Sequence, residues 1–448
     1  MQRFVKHVLA GGLILILAAL YWYGGVQQLA RVNTDMKSTD QSAYMDYARN
    51  MYESDYTFIG GRNRMPVYPF LQSLFYHPSL SNEGFFERGK YVNLILSLVL
   101  LAGLASVFRH FFGPLHALNL VLIIAFTVFI FKAGWFQTEL LFYVMNFCLF
   151  LLMCRLLQEP SCAFAILTGI VAALAHLTKA SVLPGLVVFL LSVGAQGAWT
   201  VCGNRRTAAR LTTTKSTTSH FTVILLVGLF FLITVFPYIS TSKRVFGHYF
   251  YNVNSTFYMW YDSWEEAKQG TRAYGDRVGW PEMPPEEIPS MSKYLREHTP
   301  KQTMERFLNG GRLVWNNVLD SYGYFKYIVI YACSLIVAMR RHWTRTRQFI
   351  AKNPILCVFL LIYFATYGLL YSWYAPIIAG NRLILAQFIP LMFVISSGLC
   401  LLLRSSQVKV GRHLLDELAA MNLVITVIVS VDIYFILSER VGTMYGGR

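Results

Sequence analysis

An aspartate stands just beyond a membrane-length apolar run, in Ser38-Thr39-Asp40-Gln41-Ser42-Ala43-Tyr44. A catalyst working at a membrane face would keep its carboxylate base there. Ser38 with Gln41 three residues on fits a capping box, and Tyr44, Tyr47, Ala48 and Met51 recur on one helical face. A short amphipathic helix therefore starts near Asp40, and its free amides and positive dipole end favour the ionised carboxylate. Two readings stay open, a plain helix cap and a working group. Asp35 and Asp46 compete with Asp40 for any catalytic role.

Cations follow at intervals. Gly60-Gly61-Arg62-Asn63-Arg64-Met65-Pro66-Val67-Tyr68-Pro69-Phe70-Leu71 reads as a re-entrant or interface-lying hairpin. Its two arginines suit either a lipid phosphate, through charge-assisted hydrogen bonds, or simple headgroup snorkelling. Glu139 opens an apolar run in Trp135-Phe136-Gln137-Thr138-Glu139-Leu140. Lys179 sits in the turn His176-Leu177-Thr178-Lys179-Ala180-Ser181, and Arg382 in Gly380-Asn381-Arg382-Leu383-Ile384. Singly, each cation reads as a structural anchor. Together they are a constellation in which carboxylates serve a hydroxyl acceptor and cations hold a phosphate.

The elements that must position these groups are membrane helices. With 55% hydrophobic and 14% charged residues and a mean hydropathy of +0.44, the chain buries apolar surface in lipid as well as in itself. Clear runs are Val8 to Val26, Tyr91 to Phe108, Phe111 to Phe131, Ser161 to Thr178, Ala180 to Trp199, His220 to Ser240, Asn353 to Gly380 and Leu383 to Leu403. Gln137 to Cys154, Tyr324 to Met339 and Met421 to Ser438 each carry one charge. The expectation is an all-α polytopic protein of about eleven spans. Lys and Arg are retained on the cytoplasmic side, and here they fill alternate connections: Arg205, Arg206 and Arg210, then Arg340, Arg341 and Arg345, then Arg404 and Lys409. The N-terminus is thus expected inside and the C-terminus outside. This bias absorbs much of the net charge of +16 and leaves little for a nucleic-acid partner. The first span is too long for a signal peptide, lacks a small-residue cleavage site and reads as a retained anchor. By this orientation Asp40, Arg62, Arg64, Glu139, Lys179 and Arg382 share the outward boundary.

Two outward segments exceed ordinary turns, 27–90 and 241–325, within a single membrane domain spanning 1–448. Neither contains cysteine, which excludes an outward disulfide framework. The second opens with His248, Tyr249, Phe250, Tyr251, Phe257, Tyr258, Trp260, Tyr261 and Trp264, suited either to an interface belt or to stacking on sugars. Thr299-Pro300 then starts a helix with a stripe of Met304, Phe307, Leu308, Trp315, Val318 and Leu319. It is expected to lie on the membrane and close over the site, hinged at Gly310 and Gly311.

The order of these motifs resembles the GT-C superfold of glycosyltransferases, to which protein O-mannosyltransferases and lipid A aminoarabinose transferases belong. Asp40 with Tyr44 is similar to the acidic residue of the family's first outward loop, and Arg64-Met65-Pro66-Val67-Tyr68-Pro69 to its Arg/Lys-x-Pro-x-Tyr-Pro segment. Glu139-Leu140, Leu177-Thr178-Lys179, and Asn381-Arg382-Leu383-Ile384 with Pro390 resemble its later motifs. The chain departs at Gln41, where relatives often have Glu, and at Leu383, where Tyr is usual.

The resemblance implies an inverting transfer from a polyprenyl-phosphate sugar to a glycan, lipid or protein hydroxyl. Asp40 would be the base and Glu139 a second catalytic acid. Arg62, Arg64, Tyr44, Tyr68, Lys179 and Arg382 would bind the donor, with Asp35, Asp46 and His176 as supporting or alternative groups. No cofactor is required by this reading; a divalent cation lacks a ligand pattern, because His176 and His248 have no second ligand at helical spacing. No nucleotide-binding fingerprint occurs. A polysaccharide polymerase or ligase is the nearest alternative and a polytopic transporter a more distant one. The chemistry fits a bacterial inner membrane with the site facing the periplasm or exterior.

Overall fold

Apolar runs of membrane length fold as helices because a helix satisfies its backbone within the segment. Among the described residues of the computed structural model, nine helices are long and apolar enough to cross a bilayer. The structure describes residues 2–58, 62–207, 219–319, 323–377, 382, 384–404, 406–410 and 413–443. Asn381 and Leu383 of the arginine motif, and Gly60 and Gly61 of the first loop, lie outside the described residues.

Helix α1 (Gln2–Arg31) leads into the first long connection, which carries α2 (Gln41–Glu53) and α3 (Val67–Ser73). Next come α4 (Asn82–Phe111) and a composite apolar stretch of α5 (Pro114–Ile124), a π turn (Ala125–Phe129) and α6 (Ile130–Ala133). Helices α7 (Glu139–Gln158), α8 (Cys162–Thr178), α9 (Leu183–Thr207) and α10 (His220–Phe246) precede the second long connection. That connection folds into α11 (Val253–Thr256), α12 (Trp264–Gln269), α13 (Met291–Glu297) and α14 (Pro300–Leu319). Helices α15 (Phe325–Arg341), α16 (Trp343–Lys352), α17 (Pro354–Tyr374), α18 (Leu385–Leu403) and α19 (Glu417–Phe435) complete the bundle.

A helix stands at each expected span, and two of them are short. Helix α8 is apolar with only 17 residues, and α15 has 17 residues that include Lys326, Arg340 and Arg341. The fold also departs from purely helical structure. Strands β1 (Gln407–Val410) and β2 (His413–Asp416) form an antiparallel hairpin between α18 and α19, with Gln407 opposite Asp416. Asp416 then caps α19 by accepting bonds from Leu418 N and Ala419 N.

Burial separates inner from outer helices. The stretch Pro114–Ala133 is 78% buried, α18 67% and α7 61%, whereas the remaining spans are 39% or less. Glu139 heads α7 and Arg382 precedes α18, so both lie at the ends of inner helices, where protein rather than lipid surrounds them.

The second long connection has a small core of its own. Phe246, Tyr251, Val253, Phe257, Tyr258 and Ala267 cluster with Ile377, and Phe246 stacks on Tyr251 at 4.5 Å. Within the aromatic run Tyr251, Phe257 and Tyr258 are therefore buried core, with Tyr261 and Trp264 packed against it. Tyr249 and Phe250 remain exposed. Helix α14 begins as expected, with Gln302 N donating to Thr299 Oγ1 and Thr299 N to Gln302 Oε1. A Cβ on Gly310 would lie 1.7 Å from the Ser372 carbonyl oxygen, so that glycine is where α14 crosses α17 backbone to backbone.

Candidate active site

Asp40 occupies the N-cap position of α2, yet its side chain bonds no helix amide. Its Oδ1 instead accepts from Arg64 Nη2 at 2.5 Å and its Oδ2 from Arg382 Nη1 at 2.7 Å. The carboxylate is thus shared between the first loop and the entry to α18. Gln41 does not close a capping box either. Fully buried, it pairs reciprocally with Asn33: Asn33 Nδ2 donates to Gln41 Oε1 at 2.7 Å, and Gln41 Nε2 to Asn33 Oδ1 at 2.8 Å. Gln41 Oε1 also accepts from Phe136 N at 2.8 Å. Asn33 donates to Gly134 O, and its own carbonyl accepts from the buried Lys90 Nζ at 2.9 Å. Thr39 takes a left-handed φ of 62° and receives Gln137 Nε2 on its hydroxyl. These bonds lock the start of α2 to the turn before α7.

That turn carries Glu139. Its Oε1 accepts from Lys179 Nζ at 3.3 Å, and Thr138 Oγ1 donates to Thr178 O at 3.4 Å, which joins the α7 entry to the α8 exit. The other carboxylate oxygen of Glu139 and the Nε of Arg64 are buried with no hydrogen-bond partner among the described residues. Tyr143 OH donates to the Arg382 carbonyl at 2.8 Å, and Asn146 Nδ2 to Ala386 O at 3.0 Å, so α7 also holds the backbone of the arginine segment.

Electrostatics follow from this packing. Burial pushes the Asp40 carboxyl up, but the charges of Arg64 and Arg382 outweigh it and hold the group below the usual aspartate range. Burial also disfavours charge on Arg382, where Asp40 and Glu139 reverse the balance and raise it. For Lys179 burial wins, drawing the ammonium below the usual lysine value against the pull of Glu139. Three cations and two carboxylates leave one positive charge in excess. That suits an anionic ligand.

The remaining candidates divide. Tyr44 lies under the Arg64 guanidinium, 5.5 Å from it, and meets Tyr68 edge-on at 5.4 Å. Tyr68 is fully buried and its hydroxyl accepts from Gln72 Nε2, so it supports Tyr44 from beneath. Arg62 turns the other way. Its guanidinium bonds Ser242 Oγ and Tyr238 O on α10 and stacks on the Tyr238 ring at 4.0 Å. Asp35 is exposed and accepts from Lys37 N, Asp46 is exposed beside Arg49, and His176 is buried against Phe231. None of these four joins the cluster through the bonds seen here. Gln41 positions the charged groups in a role other than the capping one expected of it, and Asn33, Gln137 and Tyr143, to which the sequence assigns no role, do so beside it. Uncharged polar residues at helix ends gave no signal beyond their neighbourhood.

Neither protein-family models nor characterised proteins match the sequence. Two solved structures are similar. Both are ArnT from Cupriavidus metallidurans, one bound to undecaprenyl phosphate and one in the apo state. Each is 14% identical over 82% of this chain and 78% of that chain, with TM-scores of 0.33 and 0.34.

An apolar groove of about 270 Å³ lies between α14, α15 and α18. Trp315, Val318, Phe325, Ile328, Phe388 and Leu391 line it, together with Gln387 and with Ile384, which stands two residues after Arg382.

Proposed function

We propose that the protein is a membrane glycosyltransferase that moves a sugar from a polyprenyl-phosphate donor to an acceptor hydroxyl at the outer face of the membrane, with inversion. The observation that carries this reading is the double arginine bond to Asp40, with Lys179 and Glu139 alongside. A phosphate with a long apolar tail matches the surplus positive charge, and the apolar groove lined by Ile384, two residues on from Arg382, offers the tail a place to lie. The outward orientation rests on the distribution of Lys and Arg between alternate connections.

In the free protein both Asp40 oxygens are occupied, so the carboxylate is a poor base. An arriving donor phosphate competes for Arg64 and Arg382, and the spare Nε of Arg64 adds a donor for it. As the guanidinium groups transfer to phosphate, Asp40 is freed and its basicity rises. The acceptor oxygen then attacks the anomeric carbon as its proton passes to Asp40. The bond between that carbon and the phosphate oxygen breaks, and the lipid phosphate leaves with the electron pair, its added negative charge met by Arg64, Arg382 and Lys179. Glu139 holds Lys179 in place and, through its free oxygen, bonds a sugar hydroxyl.

The test is sugar transfer in native membranes supplied with radiolabelled polyprenyl-phosphate sugars. Asp40→Asn is expected to lower the initial rate by about 10²- to 10⁴-fold, the usual contribution of a general base. Undiminished transfer by that variant would remove the proposed base.

A further inference from the structure

A second cavity, of about 300 Å³, lies in the connection between α10 and α15. Its frame is rigid. Asp262 Oδ1 accepts from Arg306 Nη1 at 2.7 Å and Tyr294 OH at 3.0 Å, while Oδ2 meets His298 Nε2 at 2.8 Å. The His298 ring stacks flat on Tyr294 at 3.9 Å. Arg306, buried, also donates to Met259 O and Tyr261 O and lies over Trp373 at 4.3 Å. Trp260 and Tyr261 give the cavity aromatic surface, and Gln269, Glu266, Glu287 and Glu297 surround it with acceptors. Lys293 is already engaged with the Glu287 carbonyl and, at 3.8 Å, with Glu297.

We propose that this cavity binds a saccharide that is neutral or carries an amine. Aromatic faces stack on the apolar face of a sugar ring, and carboxylate and amide oxygens accept its hydroxyl protons. The excess of carboxylates repels acidic sugars. The volume sits at the small end of ligand pockets and fits one or two rings. A chain of contacts leads from the cavity toward the Asp40 cluster: Arg306 donates to Met259 O, which also accepts from Trp373 Nε1 at 2.8 Å. Asn254 Nδ2 reaches the Asn63 carbonyl, next to Arg64. Naming the saccharide as the acceptor of the transfer rests on the function proposed above, whereas the binding itself does not.

The full-length protein in detergent, and its Asp40→Asn variant, would be titrated with chitosan tetramer, N-acetylated chitotetraose and tetragalacturonic acid, with binding read by saturation-transfer NMR. The first two are expected to bind and the acid to fail. Trp260→Ala should abolish binding, and Glu287→Gln with Glu297→Gln, both on exposed side chains, should weaken the chitosan tetramer by about fivefold, the worth of an exposed ion pair. Binding of none of the three, preference for the acid, or binding unaltered by both sets of substitutions would overturn the proposal. Saccharide binding without sugar transfer from any donor would leave the cavity standing and remove the transferase reading.

Discussion

With both oxygens of Asp40 bonded to guanidinium groups, the pH dependence of the free protein has a fixed sign. A carboxyl depressed in the folded state stays ionised below the usual aspartate range and loses its charge only as pH falls through the depressed value. The acid limb of kcat/KM is therefore expected below about pH 4. Arg382→Met should move it upward, because one of the two compensating charges is gone. Lys179 has the opposite geometry. Glu139 raises it, so Glu139→Gln should lower the alkaline limb of the same profile, and an unmoved limb would break the link between the two residues. Glu139, Lys179 and Arg382 were legible in the sequence because each sits at the end of an apolar run, and Asp40 and Arg64 because they stand in a connection too long to be a turn. The division of labour between Arg62 and Arg64 was not. They are two residues apart and chemically identical, and only the packing of α10 decides that one anchors the loop while the other reaches Asp40.

At the scale of elements, helix positions were readable from uncharged length alone, since a bilayer admits few other solutions. What periodicity did not convey is how elements meet. Gly310 and Gly311 read alike in sequence, as flexible neighbours, yet one faces the α17 backbone and the other a serine side chain at 3.5 Å. Gly310→Ala should accordingly destabilise by about 1–3 kcal/mol through overpacking, whereas Gly311→Ala should be near neutral, as read by thermal unfolding in detergent. Equal effects would refute the crossing. The aromatic run of the second outward segment divides for a related reason. Belt, platform and core share one composition, and only packing sets Tyr251, Phe257 and Tyr258 in a core with Ile377 and Ala267 while Trp260 and Tyr261 line a cavity.

For the whole molecule, the predicted orientation makes a direct demand on labelling. In a cysteine-free background, Asp46→Cys and Glu287→Cys should react with a membrane-impermeant maleimide added to intact cells, and Arg347→Cys only after permeabilisation. The reverse pattern would put the cluster on the inner face. Stability of the molecule as a whole bears on one small detail. Thr39 is β-branched and left-handed, a conformation that disfavours such a residue by about 1–3 kcal/mol, and it directly precedes Asp40. Thr39→Gly relieves that strain, so it should raise the melting temperature while slowing turnover, as the hydroxyl held by Gln137 is lost. The chain is then not at its own stability optimum, and selection for heat tolerance alone would erode the catalyst at residue 39 first.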